Sequence, residues 1–195
     1  MASQAERRAA TRARIVEAAH RLFVERGFDD TTTTMILDGA GVSRGAMYHH
    51  FSSKEDVFAA VFESVTRKTI AESVVRSGPD GSPVDALVAG CLAWLDNVSR
   101  PAVATILLDE GPAVLGWKRC RDIDDSQSLR LMIASVRAAV AAGEIETSSV
   151  ELTARIINAA LSELALALVH QPGDRIDRED ARLAVTRLVE GLVAG

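Results

Sequence analysis

Cysteine, proline and uninterrupted apolar sequence are all scarce in this chain of 195 residues, and each scarcity closes off a class of protein. Only two cysteines are present, Cys91 and Cys120, both within helical-looking segments, so a disulfide framework is excluded in favour of two buried thiols in a reducing compartment. Five prolines and no low-complexity tract, set against 48% hydrophobic residues, argue against disorder and leave ample material for a packed core. The N-terminal MASQAERRAATRARIVEAA carries arginines but no apolar run of signal-peptide length. The longest apolar stretch, Ile156 to Val169, is interrupted by Asn158, Ser162 and Glu163 and falls short of the about 18 residues of a membrane span. These absences predict a soluble, cytoplasmic protein with no membrane partner.

Net charge is -5, which at first sight disfavours a nucleic-acid partner. The distribution qualifies that. Residues 1–54 hold eight Lys/Arg against six Asp/Glu, net +2, and residues 55–195 hold fourteen against twenty-one, net -7. A mildly basic head on an acidic body is compatible with a DNA-binding module joined to a part with another task.

From Thr11 to Arg26, Ile15, Ala18, Ala19, Leu22 and Phe23 recur at helical spacing, and Gly27 is a natural terminator. Arg7, Arg8, Arg12 and Arg14 lie ahead of or within its start and read equally as a solvated arm or as phosphate contacts. Thr31 or Thr32 caps a second helix containing Ile36, Leu37 and Ala40, Gly41 turns the chain above Val42, and Ser43 caps a third helix from Arg44 to Phe51. That third helix crowds Arg44, Tyr48, His49 and His50 beside the small Gly45 and Ala46. It is too short to be stable alone, so it must be docked on its neighbours, as the reading helix of a helix-turn-helix is. His49 and His50 are adjacent on a helix and diverge, so they do not form a metal site. Ser52 and Ser53 with Glu55 and Asp56 cap a fourth helix with the stripe Val57, Phe58, Val61, Phe62 and Val65. Lys54 sits in its first turn, where the helix dipole disfavours a cation, a conflict that a nearby phosphate would resolve.

These residues together resemble the DNA-binding domain of the TetR family of bacterial transcriptional repressors over residues 12–62. The resemblance rests on Phe23, Gly27-Phe28, Thr31-Thr32, Ile36, Ala40-Gly41-Val42-Ser43, Gly45, Tyr48-His49-His50-Phe51 and Lys54. Thr33 and Leu37 depart from the family pattern, where a small aliphatic residue and an alanine are usual, and both bear on the tilt of helix two. The resemblance implies an all-α protein: an N-terminal three-helix helix-turn-helix domain over 1–53, and a helical ligand-binding and dimerisation domain over 54–195, linked by helix four. It implies that Thr32, Thr34 and Lys54 hold phosphates, that Arg44 and Ala46 face base edges, and that Tyr48, His49 and His50 touch backbone or bases. Ser43 and Gly45 lie among them. Arg44 is the residue suited to direct readout, because a guanidinium can pair in two-pronged fashion with guanine.

Beyond residue 65 no segment alternates with period two, so the remainder also reads as helical. Gly78-Pro79-Asp80-Gly81 is a break, and Ser82-Pro83 opens a helix to about Ser99 with Val84, Leu87, Val88, Cys91, Leu92, Leu95 and Val98 inward. Pro101 to Leu108 forms a short helix ended by Gly111-Pro112. A longer helix from Trp117 ends at Gly143, with Leu129, Met132, Ile133, Val136 and Val140 inward. Ser148 with Glu151 caps a helix to about His170, Pro172-Gly173 breaks it, and Asp177 with Asp180 starts the last. The helix Val150–His170 is apolar almost all round. It reads either as the centre of a monomeric bundle or as half of a four-helix homodimer interface, with Ile157, Leu161, Leu164 and Leu168 meeting Leu183, Leu188 and Leu192.

The resemblance further implies an apolar cavity between the fourth and eighth helices for a small-molecule effector of unknown identity, with Phe62, Cys91, Trp94, Leu95, Leu107, Trp117, Met132 and Asn158 as candidate liners. The segment Leu107 to Trp117, with two glycines and a proline around Asp109-Glu110, is either a hinge or a simple bend. A repressor released from operator DNA by its effector is therefore expected, with no cofactor and no metal. Two other classes compete. A helical sensor or scaffold without DNA binding would share the fold, and an α-helical enzyme would need convergent carboxylates, a phosphate loop or a nucleophile elbow, none of which is present.

Overall fold

Side-chain hydrogen bonds start most of the helices, and their positions set the architecture. In the computed structural model, which describes residues 3–77, 81–170 and 177–192, helix α1 (Gln4–Arg26) begins well ahead of Thr11. Ser3 and Glu6 cap it reciprocally: Ser3 Oγ accepts from the Glu6 N–H and the Glu6 carboxylate accepts from the Ser3 N–H. The arginines ahead of Thr11 are thus helical. Helix α2 (Thr33–Ala40) is capped by Thr32, whose hydroxyl accepts from the Met35 N–H at 3.2 Å, and α3 (Arg44–Tyr48) by Ser43, which accepts from the Ala46 N–H. The α3 helix stops at Tyr48 rather than Phe51, because the chain turns there to bury the Phe51 ring. Helix α4 (Lys54–Ser77) starts where Ser53 Oγ accepts from the Asp56 N–H.

The chain then continues through α5 (Pro83–Val98), α6 (Pro101–Ala104), α7 (Gly111–Asp124), α8 (Arg130–Ala141), α9 (Val150–His170) and α10 (Arg178–Glu190). Two π-helical turns, Thr105–Glu110 and Asp125–Leu129, join α6 to α7 and α7 to α8. The expected single helix from Trp117 to Gly143 is therefore interrupted at Asp125, and the short helix from Pro101 does not stop at Leu108 but winds through the first π turn into α7. Gly116, with φ 74, breaks α7 internally. Ser82 and Asp85 cap α5 reciprocally behind Pro83, and Asp177 Oδ1 accepts from the Asp180 N–H at the start of α10. Ser149, not Ser148, caps α9, accepting from the Leu152 N–H. No β-strand occurs among the described residues. The expected breaks at Gly78-Pro79-Asp80 and Pro172-Gly173 lie outside them.

The chain divides into two compact units, one of residues 1–65 with 105–120, the other of residues 66–104 with 121–195. The first takes in half of α4 and the 105–120 segment in addition to the expected residues 1–53. Its core is built around Phe23, Phe28 and Phe58, whose ring centroids lie 5.2–5.7 Å apart, each such pair contributing about 0.5–1.5 kcal/mol beyond its burial. The predicted α4 stripe Val57, Phe58, Val61, Phe62 and Val65 is buried throughout.

Cations fasten the helix-turn-helix from inside. Lys54 Nζ donates to the carbonyls of Phe28 and Thr31 at 2.8 and 2.9 Å and sits 4.0 Å from the Phe28 ring centroid. Arg14 Nη2 donates to the carbonyls of Ala40 and Gly41, closing the C-terminus of α2. Arg12 lies 5.1 Å over the Phe51 ring. Gly41 holds the turn with φ 61, and a Cβ there would also meet Arg14 Nη2 at 2.9 Å. The 105–120 segment is fastened to the same unit by Glu110, whose Oε1 accepts from the Phe28 N–H, and by the Arg119–Asp56 ion pair at 3.1 Å. Gly111 lies so close to Phe62 that a Cβ would stand 2.5 Å from the ring.

In the second unit α5, α8, α9 and α10 pack on one another. Asn97 is fully buried yet satisfied: its Nδ2 donates to Ser73 Oγ, and its Oδ1 accepts from Arg76. The buried stripe of α10 is Ala181, Val185 and Val189, so Leu183 points outward rather than inward.

Two substitutions test this packing by chemical denaturation. Lys54→Met strands two carbonyl acceptors and is expected to destabilise the first unit by about 1–3 kcal/mol. Gly111→Ala forces its methyl into Phe62 and is expected to cost a similar amount, about 1–3 kcal/mol. Unchanged midpoints would contradict both assignments.

Candidate functional site

The α3 helix is two-sided. Met47 has no exposed surface and Ala46 is half-buried, whereas Arg44, Gly45, Tyr48 and His49 are exposed, Tyr48 at 49%. Thr32, Thr34 and Ser43 are exposed at the N-termini of α2 and α3. The structure therefore gathers nine of the sequence-named residues, Thr32 to His50, on or beside one short helix. The tenth, Lys54, is turned inward: its Nζ donates to two backbone carbonyls of its own unit. Two of its three ammonium protons thus staple the unit internally, and these bonds answer the dipole conflict at the start of α4 without a phosphate.

His50 is half-buried, with its ring 5.6 Å from His49. Burial, then the positive charges of Arg8, His49 and Arg12, hold its pKa below the ordinary 6.5, which keeps the imidazole neutral at physiological pH. Arg8 and Arg12 are on α1, so α1 adds positive charge to the face that α3 presents. Sequence periodicity alone treats those arginines as a separate arm.

Around Gly45 there is open space. A Cβ built there meets nothing within 4 Å, and its backbone is ordinary right-handed helix. Nothing inside the fold requires a glycine at this position, although glycine weakens a helix by up to about 1 kcal/mol relative to alanine.

The second unit contains a cavity of about 350 Å³. Cys91, Trp94, Met132 and Asn158 line it. The other four candidates do not. Leu95 points into the core at 3% exposure, and Phe62, Leu107 and Trp117 belong to the first unit, with Trp117 73% exposed. Burial pushes the Cys91 thiol up to about 12, so it stays protonated and unreactive. Among the described residues no group of three or more His, Cys, Asp and Glu is placed to hold a metal ion.

The expected dimer residues also divide. Ile157 and Leu161 are buried within their own unit, at 0% and 4% exposure, and so are not available to a partner. At 100° per residue the outer face of α9 is the one with Leu152 and Ile156, exposed at 58% and 54%. Leu183 is 45% exposed on α10, and Leu164, Leu168, Leu188 and Leu192 are half-buried. By length and composition alone α9 could cross a bilayer, but its inner stripe Thr153, Ala154, Ile157, Leu161 and Ala165 is packed as core.

Comparison with known proteins joins these two parts. A profile described as "Bacterial regulatory proteins, tetR family" matches residues 15–61, and one described as "Tetracyclin repressor-like, C-terminal domain" matches residues 84–192. The HTH-type transcriptional repressor Rv1474c of Mycobacterium tuberculosis is 34% identical over 110 residues, 56% of this chain and 57% of that protein. The chain thus spans little more than half of that relative's length, and the match to the Pseudomonas putida regulator TtgR spans 39% of that one's. Among solved structures, a TetR-family transcriptional regulator from Pectobacterium atrosepticum matches with a TM-score of 0.79 and 25% identity over 100% of this chain and 99% of that one. RolR, solved with its ligand resorcinol, shares the fold with a TM-score of 0.73 at 16% identity, over 95% of this chain and 90% of that one. With both profiles in chain order and the second alone matching more than half of the residues, the chain belongs to the TetR family of bacterial regulatory proteins.

Proposed function

We propose that the protein is a cytoplasmic, homodimeric, DNA-binding transcriptional repressor, not an enzyme, that leaves its operator when a small molecule enters the cavity of the second unit. The observation that carries this reading is α3: a helix whose inner side is sealed by Met47 while Arg44, Tyr48 and His49 stand exposed around an unobstructed Gly45. A residue without a side chain, at a place where the fold has room for one, suits close approach by an outside surface. A duplex groove is such a surface. Arg44 reads a base edge, Tyr48, His49 and His50 meet backbone or bases, and the exposed hydroxyls of Thr32 and Thr34 meet phosphates.

In this reading residues 1–53 bind DNA and residues 54–195 bind effector and partner. The exposed Leu152 and Ile156 of α9 and Leu183 of α10 supply the apolar centre of an isologous interface with a second copy, with Leu164, Leu168, Leu188 and Leu192 at its margin. Two copies are needed, because one five-residue helix makes too few contacts for a specific complex. A hundredfold loss of DNA affinity on effector binding corresponds to about 2.7 kcal/mol, and DNA must then weaken effector binding by the same factor. A sensor or scaffold without DNA binding would leave the bareness of Gly45 and the outward set of Arg44 without a use.

Fluorescence anisotropy with DNA from upstream of the protein's own gene is expected to show tight, sequence-preferring, salt-sensitive binding, and its absence would overturn the proposal. Arg44→Ala should weaken binding by about 1–3 kcal/mol and relax preference at one base pair of each half-site. Gly45→Ala is the sharper case: folded stability should hold or rise by up to about 1 kcal/mol while DNA affinity falls. Intact affinity in that variant would remove the main support for α3 as the reading element. His50 gives a pH signature. Its lowered pKa means that free-protein stability declines as pH falls below 6.5, where the unfolded chain takes up the proton first. DNA phosphates offset Arg8 and Arg12 and favour the imidazolium, so affinity should rise as pH falls through that range, and His50→Gln should reduce the slope.

A further inference from the structure

The cavity of the second unit also has a chemistry that narrows what can fill it; this rests on the effector reading for its biological meaning, but the chemistry stands on the cavity itself. At about 350 Å³ it lies within the range of small-molecule sites. Among the described residues, eighteen line it and none of them is an Asp, Glu, Lys, Arg or His. Trp94, Leu131, Met132 and Leu161 give it broad apolar walls, and Cys91, held protonated, adds no charge. An ion entering such a site would give up its water and meet no counter-charge among the described lining residues.

Two of the polar side chains on the wall are committed within the fold. Ser73 Oγ donates to the Thr69 carbonyl at 2.7 Å and accepts from Asn97 Nδ2 at 3.1 Å. Ser82 Oγ accepts from the Asp85 N–H as the cap of α5. Asn158 differs. Its Nδ2 donates to Asp124 Oδ2 at 2.7 Å, and since a carboxylate only accepts, that bond fixes which way the amide faces. The Asn158 Oδ1 is left as an acceptor, and among the described residues no hydrogen bond engages it. The π-helical turn Asp125–Leu129 brings Ser128 to the same cavity, and π turns are frequent at binding sites.

We infer that the cavity takes a neutral, largely apolar small molecule bearing a hydroxyl or N–H group that donates to Asn158 Oδ1, and that it rejects carboxylates, phosphates and ammonium ions. The ligand's apolar body replaces water against Trp94, Met132 and Leu161. Its donor satisfies the acceptor that Asn158 leaves open on the wall.

Isothermal titration of the full-length protein at neutral pH with four probes of similar size tests this: para-propylphenol, para-propylanisole, para-propylbenzoate and para-propylbenzylammonium. The phenol should bind at least about tenfold more tightly than either ion and about fivefold more tightly than the anisole, which keeps the shape and lacks the donor. Asn158→Leu should abolish the preference for phenol over anisole. Met132→Trp should abolish phenol binding by filling the site, with Leu131→Trp as a second filling variant and circular dichroism confirming the fold of each. Tighter binding of benzoate or benzylammonium, equal binding of phenol and anisole, no binding of phenol, or phenol binding that survives both tryptophan variants would overturn the inference. Anisotropy on the same samples separates it from the regulator reading: a charged probe that fills the cavity and releases DNA defeats the ligand class alone. Failure to bind DNA defeats the regulator alone.

Discussion

Five residues cannot hold a helix in water, since nucleation costs more than so few hydrogen bonds return. The α3 helix is five residues long, so its existence depends on what lies beneath and beside it. Met47 is sealed in the core, Phe51 is buried just beyond the C-terminus under Arg12, and Ser43 supplies the cap. The turn ahead of it is held by Gly41 in a left-handed conformation and by Arg14 on the last carbonyls of α2. Lys54 ties the loop before α2 to the start of α4. Rigidity is borrowed from neighbours, and the exposed side is thereby released from any structural duty. That release lets Gly45, Arg44, Tyr48 and His49 be selected for an outside partner.

The same economy of cations sharpens the electrostatics. Counting charges along residues 1–54 gives a net of +2, a weak argument for a polyanionic partner. Three of those eight cations, Arg12, Arg14 and Lys54, are engaged by groups of the fold itself. Their side chains are held but their charge is not cancelled, and toward the α3 face stand Arg44 and the field that Arg8 and Arg12 exert at His50. Placement, rather than total charge, makes this a candidate anion-binding face. In the second unit the logic is reversed. Charges are paired on the surface, as where Arg155 meets Asp125 and Glu151, and the described residues of the cavity wall carry none.

Features decided locally were legible in the amino-acid sequence. Thr32, Ser43, Ser82 and Asp177 cap helices because each bond spans three residues, and the α4 stripe from Val57 to Val65 is buried because 3.6-residue spacing leaves one choice. Features set by distant partners were not. Lys54 finds its acceptors 26 and 23 residues away, and Arg14 finds its own 26 and 27 away, separations that no local pattern reports. The inner face of α9 is not legible in the sequence for a different reason. On a helix apolar nearly all round, periodicity carries no phase, so Ile157 and Leu161 could not be told from Leu152 and Ile156. Phe62, Leu95, Leu107 and Trp117 have side chains that suit a cavity but do not line this one. Trp117 is an example: its indole, just after the break at Gly116, belongs to the first unit and is largely exposed.

The central claim is that a borrowed-rigidity helix is a reading head used in pairs. Its most direct test is selection of duplexes from a random pool by the purified full-length protein, followed by sequencing of the bound fraction. The account predicts an inverted repeat whose half-site centres lie about 10 base pairs or a multiple of that apart, the repeat of one helical turn. A bound fraction with no enriched sequence, or an enriched site without two-fold symmetry, would contradict it.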